Sequence, residues 1–518
     1  VSPNGAQSLI RTLVDSGVDL CLTNPGTSEM HFVAALDQVE GMRAVLGLFE
    51  GAVTGAADGY ARMADRPAAT LLHLGPGLGN GIANLHNARR GATPVVNIVG
   101  DHATFHARHD APLQSDIDAL ASNVSGWIRR PTAPEEVAPA AAAAVAAAMT
   151  PPGQVATLIL PADASWETAA GPAPAVPVAA PAAVDEGRIG AVAEILRGDG
   201  PAALFVGGRV CRRDGSLAAA RVAQATGARL LAETFPARQE RGAGIPAYDR
   251  LAYLAEFAEM QLAGVRHLVV VDTVAPVSFF AYPGRPSDLV PDDATVHVLA
   301  EPGEDGVGAL EALADLLDAP DAPAPAPGRP GRPSGALTGE TVAAAVGAVL
   351  PDRAIVVDEA ATNGIYAPAA TAGCPPHDWL SLTGGAIGFG IPAATGAAVA
   401  CPDRPVVNLQ ADGSAMYTIQ ALWTQAREGL DVTTVIYDNR SYAVLNMEMD
   451  RVGAREVGPK ARAVLDISDP DLDFVALGRG LGVDAERAED AAHLTDLLER
   501  ALAEPGPHLI DAPVPNGL

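Results

Sequence analysis

A chain of 518 residues, 48% of them hydrophobic, has room for about three domains of ordinary size. Its formal net charge is −28 without any block of Lys or Arg, which argues against nucleic acid or an anionic membrane as a partner. The four cysteines, Cys21, Cys211, Cys374 and Cys401, are far apart and form no CxxC, which argues against a structural zinc site or a disulfide framework.

The opening stretch VSPNGAQSLIRTLVDSG has no basic segment followed by an apolar one, and no run of 18 apolar residues occurs anywhere. A cytoplasmic protein is expected. The first strands predicted are VDLCLTN, AATLLHL and TPVVNIVG. Between the first two, GLFEGAVTGAADGYARM reads as a helix with small and apolar residues inside. Glu50 intrudes there, with no Lys or Arg until Arg62. An ionised, unpaired carboxylate is costly in such a place, so Glu50 is expected to be neutral, paired with a ligand, or turned to solvent. The Ala-rich stretch near residue 140 reads as a soluble helix. Two Pro/Ala-rich segments, Gly171 to Ala183 and Ala319 to Gly335, read as connectors. They divide the chain into blocks of 1–170, 184–318 and 336–518. The second block offers the strands AALFVGG, ARLLAE, HLVVVD and TVHVLAE, and the third AIVVDE, PVVNLQAD and DVTTVIYDN. Apolar strands separated by helices predict an α/β fold of three domains, each a mainly parallel sheet flanked by helices. Ligands of such sheets bind at the carboxyl ends of strands, so the residues to read are Asn24, His73, Gly100–His102, Glu359, Asp412 and Asn439.

The last two of these frame the most specific segment, VVNLQADGSAMYTIQALWTQAREGLDVTTVIYDNRSYAVL. It reads strand, turn, helix over 416–428, strand, turn. Mg²⁺ takes oxygen ligands and commonly combines one or two side chains with substrate phosphates. Asp412 supplies a carboxylate, Asn439 an amide oxygen and Ser441 a backbone carbonyl. Gly413 and Ser414 offer backbone N–H groups to a diphosphate at the helix N-terminus. The plainer alternative is an Asp N-cap followed, one strand later, by an Asn in a turn.

These residues resemble thiamine diphosphate (ThDP) enzymes of the acetolactate synthase, pyruvate decarboxylase and benzoylformate decarboxylase group. Their signature is Gly-Asp-Gly, a spacer, then Asn-Asn; this chain has Ala411-Asp412-Gly413 and Asp438-Asn439. The resemblance covers essentially the whole chain. It implies a pyrimidine-binding domain, a middle domain and a diphosphate-binding domain, in that order, with ThDP and Mg²⁺ as cofactors. It gives Glu50 the part of the catalytic glutamate, which hydrogen-bonds the aminopyrimidine ring. Gly385 and Ile387 in LTGGAIGFGIPAATGAA resemble the segment that holds the pyrimidine and bends the cofactor. Pro25, Asn80 and Tyr442 are implied as further cofactor contacts. His73 sits where benzoylformate decarboxylase-like enzymes place an active-site histidine, and Thr27 in NPGTSEMHF would offer a hydroxyl to the substrate carboxylate. GDHATFHARHD holds His102, His106 and His109, and faintly resembles the histidine loop of pyruvate decarboxylase, with His109 nearest the chemistry. Where the benzoylformate decarboxylase pattern has a second histidine, in the middle domain, this chain has Phe280, Ala281 and Tyr282.

Beyond Asn439, Val444, Leu445 and Glu448 are candidates for shaping the substrate pocket. DRVGAREVGPKARA reads as a lid carrying Arg451, Arg455 and Lys460, which are either anion contacts or surface charges. The function implied is a ThDP-dependent 2-oxo acid decarboxylase/carboligase, breaking the bond next to the 2-oxo carbonyl through an enamine. That intermediate is then protonated or added to an aldehyde or a second 2-oxo acid. An acetolactate synthase-like carboligase and a catalytically silent ThDP-binding paralogue are the alternatives. AALFVGGRVCRRDGS carries no flavin motif, so FAD is not expected. Glutamate and metal site come from different subunits in this group, which implies a homodimer or homotetramer.

Overall fold

The computed structural model describes residues 2–454 and 457–516; Arg455 lies outside the described residues. The strands are β1 (Leu20–Asn24), β2 (Arg43–Leu46), β3 (Ala68–Leu72), β4 (Val95–Asp101), β5 (Trp127–Arg129) and β6 (Val155–Pro161). Next come β7 (Ala202–Val206), β8 (Arg229–Ala232), β9 (Gln239–Arg241), β10 (Asp249–Arg250), β11 (His267–Val271) and β12 (Thr295–Ala300). The last are β13 (Ile355–Glu359), β14 (His377–Ser381), β15 (Val406–Ala411), β16 (Val432–Asp438), β17 (Asp484–Arg487) and β18 (His508–Pro513). They build a six-stranded sheet ordered β2-β1-β3-β4-β6-β5, a five-stranded sheet ordered β10-β8-β7-β11-β12 and a seven-stranded sheet ordered β17-β18-β16-β15-β13-β14-β9. Every pairing is parallel except β9 with β14. The apolar runs β3, β4, β6 and β16 are buried along their whole length, as strands covered on both faces must be. The fold is α/β, as the alternation predicted. The connecting segments 171–183 and 319–335 contain no helix or strand, apart from an isolated bridge between Ala182 and Glu304.

β9 belongs by sequence to the run between the two connectors, yet it extends the third sheet: Arg241, Glu240 and Gln239 lie opposite His377, Asp378 and Trp379. Arg238 clamps this edge with a 2.6 Å ion pair to Asp378. The expected helix over 416–428 is in fact two, Asp412–Thr418 and Ala421–Glu428. Between the two, Ile419 and Gln420 keep right-handed helical angles, and at the end of the first helix the Thr418 hydroxyl donates to the Gly388 carbonyl at 2.9 Å.

Two helices position the site. Glu50–Ala64 and Gly390–Ala400 cross at backbone contact: a Cβ at Gly59 would collide with the Ala393 carbonyl, and one at Gly396 with the Ala56 carbonyl. Only glycine allows this approach. It joins the first and third sheets in one apolar cluster that includes Val53, Ala57, Ala393 and Ala397. Arg62 locks the crossing. It is buried, bidentate to Asp58 at 2.7 Å, and donates to the carbonyls of Ala237 and Ser381. Its guanidinium also lies over the Phe389 ring, 4.6 Å from the centroid. The one cation in that helix is therefore fully committed far from Glu50.

Candidate active site

Glu50 opens its helix and is 7% exposed. No salt bridge reaches it among the described residues. Asn80, from the helix Leu74–Arg90, donates to its Oε2 at 3.0 Å. Of the three expectations for this carboxylate, exposure to solvent is thus excluded, and a partner beyond one neutral amide is still wanting. Gly77 passes close to its other oxygen: a Cβ there would stand 3.4 Å from Oε1.

The same helix fixes the loop 383–388. Asn84 donates to the carbonyls of Gly51 (2.9 Å) and Gly388 (3.1 Å), and Asn87 donates to Ala386 (2.8 Å). Gly385 has φ +71°, which an L side chain rarely adopts. Glu359, at the end of β13, accepts from the N–H groups of Gly388, Phe389 and Gly390 at 2.7–3.1 Å and from Gln410 at 2.8 Å. It thereby caps the helix Gly390–Ala400. Burial pushes its pKa up and these bonds work against that. Sequence reading marked Glu359 only as a polar strand end; its four partners come from remote segments.

His73 ends the segment after β3 and pairs, through Nδ1, with Glu29 Oε2 at 2.8 Å. Glu29 was missed by sequence reading. It is fully buried, holds the Gly26 N–H at 2.7 Å, and lies against Gly100, where any Cβ would collide with its Oε1. Burial raises the Glu29 pKa and the His73 charge opposes this. The contact engages Nδ1 and leaves Nε2 as the ring nitrogen not committed to Glu29. Thr27 begins the same short 3-10 turn, Thr27–Glu29, and is exposed; Pro25 is half-buried beside it. His102, His106 and His109 form a row of mutually tilted rings, 5.2 and 5.6 Å between centroids. His109 is the exposed outer member, whereas His102 lies close enough to His73 for that charge to help lower its pKa.

At the third sheet Asp412 is 2% exposed. It accepts from the Gly413 N–H at 2.7 Å and the Arg440 N–H at 2.6 Å. Burial, helped by the neighbouring Asp438 charge, pushes its pKa up to about 6. Among the described residues no Lys or Arg pairs with it. Asn439 accepts from the Ser441 N–H at 3.0 Å and donates to Asn363 at 2.8 Å. A buried carboxylate lacking a counter-ion, beside an amide oxygen and a carbonyl turn, is a donor set suited to a hard divalent cation. Asp438, where the family pattern has Asn, faces Arg440 at 3.8 Å and Arg487 at 3.9 Å, so its added charge is offset. Ala411 has φ −77° and ψ 145°, an ordinary backbone conformation that needs no glycine. Gly413 does need to be glycine: a Cβ would stand 2.6 Å from the Tyr442 ring. The Ser414 hydroxyl turns inward to Gln410 (2.7 Å) and Ala411 (3.1 Å), leaving its backbone N–H at the helix start. Ile387 is half-buried on the loop before Gly388. Arg451 is not available to an anion, since it is bidentate to Glu256 and stacked on Tyr282.

Comparison with known proteins agrees with this geometry. Residues 3–122 match the family description "Thiamine pyrophosphate enzyme, N-terminal TPP binding domain", and residues 364–512 match its C-terminal TPP binding domain. The chain is 61% identical over 514 residues to the Mycobacterium tuberculosis protein named "Putative acetolactate synthase large subunit IlvX", covering 99% of each. It is 31% identical to benzoylformate decarboxylase of Pseudomonas aeruginosa, covering 96% of each. A solved ThDP-dependent 4-hydroxybenzoylformate decarboxylase from Rhodococcus jostii superposes with a TM-score of 0.85 at 25% identity over 99% of each chain. The chain belongs to the thiamine pyrophosphate enzyme family. Within that family it is a ThDP-dependent enzyme of decarboxylase or carboligase type, related to both benzoylformate decarboxylase and acetolactate synthase. A silent cofactor-binding paralogue is not favoured. Among the described residues no helix is long and apolar enough to cross a membrane.

Proposed function

We propose that this enzyme releases CO₂ from a 2-oxo acid, with Mg²⁺ anchoring ThDP. The observation that carries the reading is Glu50: buried, without a counter-ion, and held by a single amide. Such a carboxylate is poised to take a proton-bearing ring nitrogen as its partner. When bound, ThDP supplies the electron sink that lets the carboxylate of the substrate leave. Asp412, Asn439 and the Ser441 carbonyl would hold the cation. The backbone N–H of Ser414, and that of Gly413 once released from Asp412 Oδ1, with Tyr442 beside them, would hold the diphosphate. Gly385, Ile387, Asn80 and Pro25 would hold the pyrimidine. His73, oriented by Glu29, moves protons at the reacting carbon, Thr27 receives the substrate carboxylate, and His109 extends the proton-transferring row at its outer end. We take 1–170, 184–318 and 336–518 as the three domains. We further propose a cytoplasmic homodimer or homotetramer with sites between subunits.

The test is CO₂ release from aliphatic, branched, aromatic and acidic 2-oxo acids, with and without ThDP and Mg²⁺, for wild type and Glu50→Gln. Release needing both cofactors and Glu50 is expected; release that ignores Glu50 would sink the assignment. Carboligation is the second reading, favoured by the name of the 61% identical relative. Adding an acceptor aldehyde or a second 2-oxo acid, and assaying for an acyloin or acetohydroxy acid, decides between the outcomes.

A further inference from the structure

The middle sheet sends an aromatic wall into the neighbourhood of this site. A Cβ at Gly385 would stand 2.7 Å from the Phe279 ring. Phe279 in turn packs on Phe280, Phe235 and Tyr253, with centroids 5.1, 6.0 and 5.2 Å away. Phe279 and Phe280 are 42% and 51% exposed, so the wall is an open apolar surface of the kind that receives ligands. Behind it stands an unusual carboxylate. Glu448, on the helix Ala443–Arg451, is 8% exposed, and neither of its oxygens accepts a hydrogen bond. The hydroxyls of Tyr253 and Tyr282 lie beside it, and its charge helps push both phenols up. The Tyr282 hydroxyl is likewise buried without a hydrogen bond, and the Arg451 Nε meets Glu448 Oε1 only as an ion pair at 3.5 Å. Arg451 spends its other nitrogens on Glu256. Two carboxylates, Glu448 and Glu256, therefore share the Arg451 guanidinium. A buried acceptor left unmet costs free energy, and a donor brought by a ligand removes that cost. Tyr253 joins the two halves, its ring against Phe279 and its hydroxyl beside Glu448.

We propose that Glu448, with Tyr253 in front of it, determines substrate specificity by recognising a hydrogen-bond donor, a hydroxyl or an ammonium, at the far end of the side chain of a 2-oxo acid. Acidic side chains are disfavoured by the like charge of Glu448. The inference rests on the 2-oxo acid reading above and narrows it. It also accounts for the departure at residues 280–282, where the histidine of the related pattern is missing: the middle domain still supplies a polar contact, from Tyr253.

The experiment compares kcat/KM for matched pairs of 2-oxo acids, with ThDP and Mg²⁺ present: 4-hydroxyphenyl against phenyl, and a terminal amine against a terminal methyl. Wild type is expected to favour a donor-bearing member at least tenfold. Glu448→Leu should abolish that preference, Tyr253→Phe should weaken it, and the pair with the larger ratio names the donor. Equal use of both members by wild type, or a preference that survives Glu448→Leu, overturns the proposal. Glu448→Gln keeps the shape and covers the case in which the leucine variant fails to fold; it should lose the amine preference. The same pairs, as unreactive 2-hydroxy acids, are titrated calorimetrically into the cofactor-loaded protein. If no 2-oxo acid releases CO₂, the decarboxylase reading fails, and this titration still decides the recognition: tighter binding of the donor member that depends on Glu448 upholds it, and indifference overturns it.

Discussion

The carboxyl ends of the second and third sheets have the same strand geometry and opposite chemistry. At the third sheet, Asp412 and Asn439 present oxygens that no Lys or Arg side chain pairs with among the described residues, and Gly413 keeps the helix start open beside Tyr442. At the second sheet the chain has filled its own crevice. After β7, the Gly208 N–H donates to Glu233 at 3.3 Å and the Arg209 N–H to Asp272 at 2.8 Å. The Thr273 hydroxyl donates to Glu233 at 3.2 Å. A Cβ at Gly207 would stand 2.6 Å from Thr273, and one at Gly208 would collide with the Asp272 carboxylate. Backbone N–H groups that a parallel sheet offers to a phosphate are spent on internal carboxylates. A dinucleotide phosphate would find those N–H groups already bonded to Glu233 and Asp272, which gives a physical reason for expecting no FAD. Asp412 and Asp272 both accept from backbone N–H groups; what differs is the added amide oxygen of Asn439 and the helix start that Gly413 leaves beside Tyr442.

The largest effect that sharpens this contrast is at Glu50. Glu50→Gln should lower turnover by about 10²-fold or more, with circular dichroism and ThDP-free thermal unfolding unchanged. Asp412→Asn comes next. It removes the charge that a cation would neutralise and should weaken apparent Mg²⁺ affinity by roughly 10–100-fold, read by titrating Mg²⁺ into the ThDP-supplemented protein. Glu233→Gln, the corresponding change at the closed sheet, should leave that titration unmoved. An equal loss from both variants would break the comparison.

Glu50, Asp412 and Asn439 were legible in the sequence because each violates a local pattern: a lone carboxylate on an apolar helix face, and polar residues closing apolar strands. The ten strands expected were found because each is a short apolar run, several of them buried along their whole length. β2, β5, β6, β14 and β18 were not expected, although β6 is a seven-residue apolar run buried throughout. β9, β10 and β17 were not legible either. They are two to four residues long, and their existence depends on an edge contributed from elsewhere. Glu29 and Glu359 escaped for a related cause. The partners of Glu29 lie at Gly26, His73 and Gly100, and those of Glu359 at 388–390 and Gln410. A role made by residues so far apart in the chain leaves no periodic trace. Glu29 can now be tested. Glu29→Gln should reduce kcat/KM by about tenfold, through loss of an ionic hydrogen bond to His73, while Mg²⁺ and ThDP affinities stay put. Lost cofactor binding would assign Glu29 to the scaffold instead.

The smallest expected effect lies in the closed sheet and concerns stability alone. Burial pushes Glu233 from 4.5 up to about 7, and Asp272 from 3.8 up to about 6; in each the bonds from backbone N–H groups oppose the shift. Between pH 4.5 and 7 the folded protein therefore holds a proton on Glu233 that the unfolded chain has released. Stability from this proton is complete below pH 4.5 and drains away as the pH rises through 7. Both side chains are partly exposed, so solvent screening reduces each share to the order of 1 kcal/mol. Glu233→Gln keeps the acceptor for Gly208 and Thr273 without the titrating charge. Thermal unfolding should place the variant level with wild type at pH 5 and above it at pH 8. The corresponding change at Asp412 would behave otherwise if the proposed Mg²⁺ binds there, because the cation and not a proton would then offset the carboxylate. A Glu233→Gln variant less stable than wild type at pH 8 would mean that the charge is compensated in the folded protein, and that the second sheet is not the self-closed counterpart of the third.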